Sequence, residues 1–254
     1  MLNFHRPHSL EQAVGIFQAC DNPAYIAGGQ SLIVGIRLGL ADFSDLIDLS
    51  GIPDLRQINC SDNELTIGAL CTHADIADSS IVQKNIPALA RLAAEIADMH
   101  IRNRGTIGGS LGHCDPAADY SAAILGLGAT IFTDQRSIRS AEFFTGTFAK
   151  SLNAGEIIKE IRLPVPQKAS YQRFCQSASR FPLVGVFAVL LPDRNIRFGV
   201  TGLLNYPRAI VKSEQEIKFN QDDINADIHA AADYREQLFK VLTQRAIDEL
   251  GNSL

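Results

Sequence analysis

The chain has no tryptophan, only two methionines, and no two cysteines spaced Cys-x-x-Cys. Its five cysteines, Cys20, Cys60, Cys71, Cys114 and Cys175, are scattered. Iron–sulfur clusters and structural zinc sites draw on clustered thiolates. Isolated cysteines of this kind read instead as small buried residues. The six histidines are equally dispersed and no His-Glu-x-x-His occurs, so no metal is expected in this chain. No apolar run reaches membrane-spanning length. The start, Met1-Leu2-Asn3-Phe4-His5-Arg6-Pro7, lacks the apolar region of a secretory signal. A formal charge of −5 with no basic stripe argues against a nucleic-acid surface. These absences lead to the expectation of a cytoplasmic protein with neither membrane nor nucleic acid as partner. The common nucleotide grips are missing as well. There is no Gly-x-Gly-x-x-Gly followed by an acid, and no Gly-x-x-x-x-Gly-Lys-Ser/Thr.

The 254 residues are 46% apolar and 20% charged, the balance of an ordinary globular protein with a real core. Two glycine-rich turns, about eighty residues apart, stand out. The first is Tyr25-Ile26-Ala27-Gly28-Gly29-Gln30-Ser31-Leu32. The second is Thr106-Ile107-Gly108-Gly109-Ser110-Leu111, with His113-Cys114-Asp115-Pro116-Ala117-Ala118-Asp119 behind it. Each Gly-Gly pair is entered from an apolar run and flanked by hydroxyl residues. Glycine lets backbone N–H groups approach a ligand without a Cβ in the way, and successive N–H groups can form a concave anion site. Gly28, Gly29, Gly108 and Gly109 are therefore expected to supply donors, with Ser31, Thr106 and the Gln30 amide adding hydrogen bonds. Asp119 repels phosphate but could accept from sugar hydroxyls; a helix-start acid is the other reading of it. Together the turns suggest a diphosphate ligand carrying a sugar.

The surrounding pattern is mixed. Ser9 caps a helix with Leu10, Ala13, Val14 and Phe17 at helical spacing. Short strands are expected at 24–27, 45–49, 58, 64–69 and 129–132, with Asp62-Asn63 as a hairpin turn. Leu89, Leu92, Ala93, Ile96 and Ala97 share a helix face, and 117–127 reads as an apolar helix. Residues 156–163 alternate as a half-buried strand does. Pro164-Val165-Pro166 marks a boundary. Beyond it, strands are expected at 182–191 and 196–204 and helices at 223–231 and 234–250. Strands and helices without regular βαβ alternation indicate α+β.

Four stretches carry a resemblance: Ala-Gly-Gly-Gln-Ser-Leu, then Leu65-Thr66-Ile67-Gly68-Ala69, then Ile101-Arg102-Asn103-x-Gly-Thr-Ile-Gly-Gly-x-Leu, then His-x-Asp-Pro-Ala-Ala-Asp. In this order, over nearly the whole chain, they resemble the FAD-binding medium subunit of molybdenum hydroxylases, the xanthine dehydrogenase and carbon monoxide dehydrogenase flavoprotein family. The resemblance implies an α+β fold: a two-subdomain FAD-binding domain of the vanillyl-alcohol-oxidase (PCMH) type at 1–164 (subdomains about 1–55 and 56–164) and a smaller α+β domain at 165–254. It implies non-covalent FAD held by Tyr25 to Leu32 and by Thr106, Ile107, Gly108, Gly109 and Ser110. Asp119 matches the family's acidic contact and Ile158 an apolar position beside the flavin. Ser110 replaces the family's usual Asn. Of the pattern opening the C-terminal domain only Tyr171 and a basic residue, Arg173, survive, and Arg173 stands where a flavin-approaching lysine is common. Implied partners are a large molybdopterin subunit and a small subunit with two [2Fe–2S] clusters, with NAD or oxygen as acceptor. No side chain is expected to act as a nucleophile or base. The alternatives are a stand-alone FAD-dependent reductase or oxidase of the same fold, or a flavin-free assembly protein.

Overall fold

The computed structural model describes residues 2–212 and 219–252. At the N-terminus, β1 (Asn3–His5), β2 (Pro23–Ile26) and β3 (Asp45–Asp48) form a parallel sheet in the order β1-β3-β2. α1 (Leu10–Ala19) connects the first two strands, and Ser9 caps it by accepting from the Gln12 N–H. α2 (Leu32–Arg37) follows the first glycine turn directly. A small core of Ala13, Ile47, Leu49, Ile52 and Leu55 fills this unit.

A five-stranded antiparallel sheet comes next, in the order β4-β5-β10-β6-β7. Its strands are β4 (Ile58–Ser61), β5 (Glu64–Gly68), β6 (Thr130–Thr133), β7 (Ser137–Arg139) and β10 (Ile158–Pro164). Asp62 and Asn63 both take positive φ, the geometry of a two-residue hairpin turn. Helices α3 (His73–Asp78), α4 (Ser80–Asn85), α5 (Pro87–Glu95), α6 (Met99–Arg102), α7 (Ile107–His113) and α8 (Asp119–Leu127) separate β5 from β6. α9 (Ser140–Phe143) and the hairpin β8 (Phe144–Gly146) and β9 (Ala149–Lys150) precede β10. Every residue of α8 is buried, which explains its unbroken apolar reading.

The last sheet is antiparallel, β11 (Ala169–Cys175), β12 (Pro182–Leu190), β13 (Ile196–Thr201) and β14 (Arg208–Lys212). α10 (Ala232–Asn252) packs on it through Phe239, Leu242, Ala246 and Leu250. α8 lies against β12 and β13 at glycine distance: a Cβ on Gly199 would overlap the Ala122 carbonyl oxygen, and one on Gly126 would stand 2.7 Å from that of Phe187. The core of the five-stranded sheet accordingly runs on into Tyr171, Phe187 and Val189.

Two helices differ from the sequence expectation. The helix through Leu89 stops at Glu95; Ile96 is extended and Ala97 takes φ +43°. Residues 224–231 are not helical. There the Asp227 carboxylate accepts from the N–H groups of His229 and Ala230, and the Asn225 amide donates to the Gly202 and Leu204 carbonyls. Side-chain bonds of this kind compete with helix formation.

Candidate functional site

The end of β2, the start of α2, the start of α7 and the start of β10 surround a cavity of about 580 Å³. The size falls within the range of small-molecule sites. Of the residues singled out in the sequence, Tyr25 to Leu32, Thr106, Gly108, Gly109, Ser110, Asp119 and Ile158 line it. Ile107 and Arg173 do not. Ile107 is fully buried in the core behind the wall.

The two glycine segments meet at Gly28. A Cβ there would overlap the Arg104 carbonyl oxygen and stand 2.8 Å from Gly105 Cα. Gly29 takes φ +74°, a conformation that favours glycine. The chain thus turns sharply into α2. Among the described residues, the backbone N–H groups of Gly28, Gly29, Gln30, Ser31 and Leu32 meet no acceptor. Five successive free donors at a cavity wall form an anion cradle.

The second segment is built differently from the expectation. It is not a turn. Gly108 and Gly109 lie in the first turn of α7, which Thr106 caps by accepting from the Gly109 N–H at 3.0 Å. The Ile107 and Gly108 N–H groups donate to the Cys71 and Ala69 carbonyls. Gly108 and Gly109 therefore have no donor to spare, which corrects the reading of both as N–H sources. Their smallness serves packing: a Cβ on Gly108 would stand 2.6 Å from Ala69 Cβ, and one on Gly109 would stand 2.8 Å from the capping Thr106 Oγ1. The segment is a stitched wall facing the cradle.

Asp119 begins α8 and is buried. Its Oδ1 accepts from the Tyr171 hydroxyl at 2.6 Å and from Arg173 Nη1 at 2.8 Å. Burial pushes this carboxyl up, and the Arg173 charge and the Tyr171 hydrogen bond oppose that push. Arg173 also pairs with Glu95, Nε to Oε2 at 3.0 Å, and donates to the Glu95 carbonyl. It therefore braces α5, α8 and β11 from behind the wall. Its guanidinium is held by these partners and does not line the cavity.

Glu156 is the cavity's other buried carboxylate. Burial works against its ionisation, but Arg136, the Asn153 N–H and the Thr133 hydroxyl outweigh burial and hold it below the usual range. Each of these two acids is thus neutralised by an arginine outside the lining. An anion entering the cavity meets the neutral N–H groups of the first turn and Lys150, with Asp115 the remaining acid of the lining. Ile158 sits beside a β-bulge in the β10–β6 pairing, where the ladder register shifts between Ile158 and Glu160.

His73 was not singled out in the sequence, yet it lines the cavity. The signal was its place just after Thr72, which forms a capping box with Asp75. Its Nδ1 is buried without a partner, and a Cβ on Gly105 would stand 2.6 Å from its Nε2. Burial, with help from Arg102, lowers the imidazole to about 4. The folded state therefore holds His73 neutral while the unfolded chain takes up a proton near its ordinary value. Stability tied to this residue is full above about pH 6.5 and falls as pH drops toward 4. The expected loss between about pH 7 and about pH 5 is roughly 2 kcal/mol in urea unfolding. A His73→Gln variant showing the same pH slope as wild type would remove this account.

The structure aligns with that of quinoline 2-oxidoreductase from Pseudomonas putida 86, with a TM-score of 0.89 at 25% identity, over 100% of this chain and 98% of that one. That likeness defines the class: an α+β flavoprotein with a PCMH-type FAD-binding domain and a smaller C-terminal α+β domain. Residues 1–166 match the family model described as the FAD binding domain in molybdopterin dehydrogenase. The glyceraldehyde dehydrogenase medium chain of Sulfolobus acidocaldarius is 29% identical, over 98% of both chains. The carbon monoxide dehydrogenase medium chain of Hydrogenophaga pseudoflava is 32% identical, over 79% of this chain and 74% of that one. The chain belongs to this family, as a medium, FAD-binding oxidoreductase subunit of the molybdenum hydroxylases. The free N–H cradle fits the diphosphate of that cofactor.

Proposed function

We propose that this chain is the electron-transfer flavoprotein of a molybdopterin-dependent hydroxylase or dehydrogenase complex. Bound FAD supplies the redox chemistry, taking electrons from the [2Fe–2S] clusters of a small subunit and delivering them to an acceptor such as NAD or oxygen. Substrate oxidation belongs to a large molybdopterin subunit. This chain's residues bind, orient and shield. The N–H groups of Gly28 to Leu32 hold the diphosphate, with the Ser31 hydroxyl beside them. Thr106, Gly108, Gly109 and Ser110 close the opposite wall. Asp119, fixed by Tyr171 and Arg173, presents its carboxylate to a sugar hydroxyl. Ile158 and its bulge border the flavin. Residues 1–164 act as the FAD-holding unit, residues 165–254 buttress it through β11, and the complex works in the cytoplasm. The cofactor is held without a covalent bond, so acid precipitation should leave a colourless pellet and a yellow supernatant.

The observation that carries this reading is the run of five unpaired N–H groups opening on the cavity. Co-purification of the tagged chain tests the partners. The expected result is two further subunits, one with molybdopterin and one with [2Fe–2S] clusters, and FAD reduced on addition of the complex's substrate. An isolated chain that turns over an organic substrate by itself would replace the proposal with a stand-alone reductase or oxidase.

A further inference from the structure

At the N-terminal edge of the three parallel strands, Asn3, Asp45 and Pro23 share one row. Three metal-ligating side chains meet there. His5 ends β1, Asp45 opens β3 and Cys20 follows the last residue of α1. One ligand atom from each, an imidazole nitrogen, a carboxylate oxygen and a thiol sulfur, lies within 4.8 Å of the other two. We propose that His5, Cys20 and Asp45 form a site for one thiophilic divalent cation of the zinc class, joining β1, the end of α1 and β3.

The donor chemistry selects the ion. One nitrogen, one sulfur and one oxygen suit zinc with water in the fourth position. Magnesium and calcium take oxygen ligands. His5 Nε2 lies 2.8 Å from Asp45 Oδ1, and the Cys20 thiol stands within 4.8 Å of both. A cation seated there replaces the His5–Asp45 bond. Cys20 binds as thiolate and releases its proton to solvent, while neutral His5 binds through Nε2 with its ring proton on Nδ1. The charges of Cys20 and Asp45 then balance the divalent ion. Asp45 is already oriented, accepting from Asn3 Nδ2 at 3.0 Å and from Ser44 Oγ at 2.6 Å. Such outer-shell bonds fix ligands in built metal sites. Asp45 is buried while His5 and Cys20 are half-buried, so solvent reaches the site from one side. The sequence expectation of no metal rested on spacing along the chain, and these ligands come from three separated elements.

Cobalt titration of the metal-stripped, FAD-loaded chain tests the site. The expected result is one equivalent of Co²⁺, a thiolate-to-cobalt absorption in the difference spectrum, and its displacement by Zn²⁺. Cys20→Ser, which keeps a hydrogen-bonding group of similar size, should abolish that absorption. Asn3→Ala should weaken binding at least about tenfold through the lost outer-shell bond. Cys60→Ser should change nothing. Zinc should raise the melting temperature of the wild type and leave that of Cys20→Ser unmoved. A chain that binds no Co²⁺, or a Cys20→Ser variant that keeps the absorption, would overturn the proposal and leave His5 and Asp45 as a hydrogen-bonded pair beside Cys20.

Discussion

Replacing Gly28 by alanine is expected to cost this chain its flavin. The added Cβ falls on the Arg104 carbonyl oxygen, within a backbone–backbone contact that has no flexible side chain to yield. The turn must then move away from the Arg104-Gly105 segment, and the five N–H groups move with it. Misplacing them removes the cradle while leaving the core clusters untouched, because Gly28 belongs to none of them. An overpacking strain of about 1–3 kcal/mol corresponds to roughly a 5–150-fold loss in affinity. FAD titration followed by flavin fluorescence reads this directly, with thermal melting of the apo chain as the control for folding. Wild-type affinity in Gly28→Ala would sink the assignment of the first turn as the diphosphate cradle. Gly109→Val is a weaker probe of the site. Its side chain would meet the Thr106 cap first, so helix α7 would be disturbed along with the cavity.

The second large effect is on stability. Asp119→Ala leaves the Tyr171 hydroxyl without a partner and the Arg173 guanidinium with Glu95 alone, at the surface end of its reach. Breaking a buried charge pair from one side costs about 3–5 kcal/mol. The chain should therefore unfold at lower urea, and it should do so with or without FAD. Removing both partners together, as in Asp119→Ala with Arg173→Met, should recover much of the loss, because no uncompensated charge remains. A double-mutant cycle in urea measures the coupling. A coupling near zero would show that Asp119 is not the brace described here. From sequence alone Asp119 offered only a sugar contact or a helix-start acid. In the fold it is chiefly the point where the C-terminal sheet grips the FAD-binding domain.

Much of the secondary structure was legible because local chemistry decides it. Ser9 and the Asp62-Asn63 turn each settle their own neighbourhood through one hydrogen bond or a pair of φ values. The helix expected at 223–231 failed for the same reason in reverse. Its apolar content gave no warning that Asn225 would find the Gly202 and Leu204 carbonyls, which are distant in sequence. Strands β11 and β14 escaped notice because they are edge strands whose apolar and polar residues do not alternate by face: Phe174 and Val211 point to solvent while Ser170 is buried.

The sequence by itself determined the ligand class. Two glycine pairs flanked by hydroxyl residues indicate a diphosphate ligand, since glycine's missing Cβ is a property of the residue, and the flanking motifs resemble those of a flavin-binding family. What each pair does was decided only by the tertiary structure. Whether an N–H is free depends on which carbonyl lies opposite it. Gly108 meets the Ala69 carbonyl and is satisfied, whereas the run from Gly28 to Leu32 meets none. The same holds for Arg173. It reads as a ligand contact until Glu95 and Asp119, more than fifty residues away along the chain, take its guanidinium.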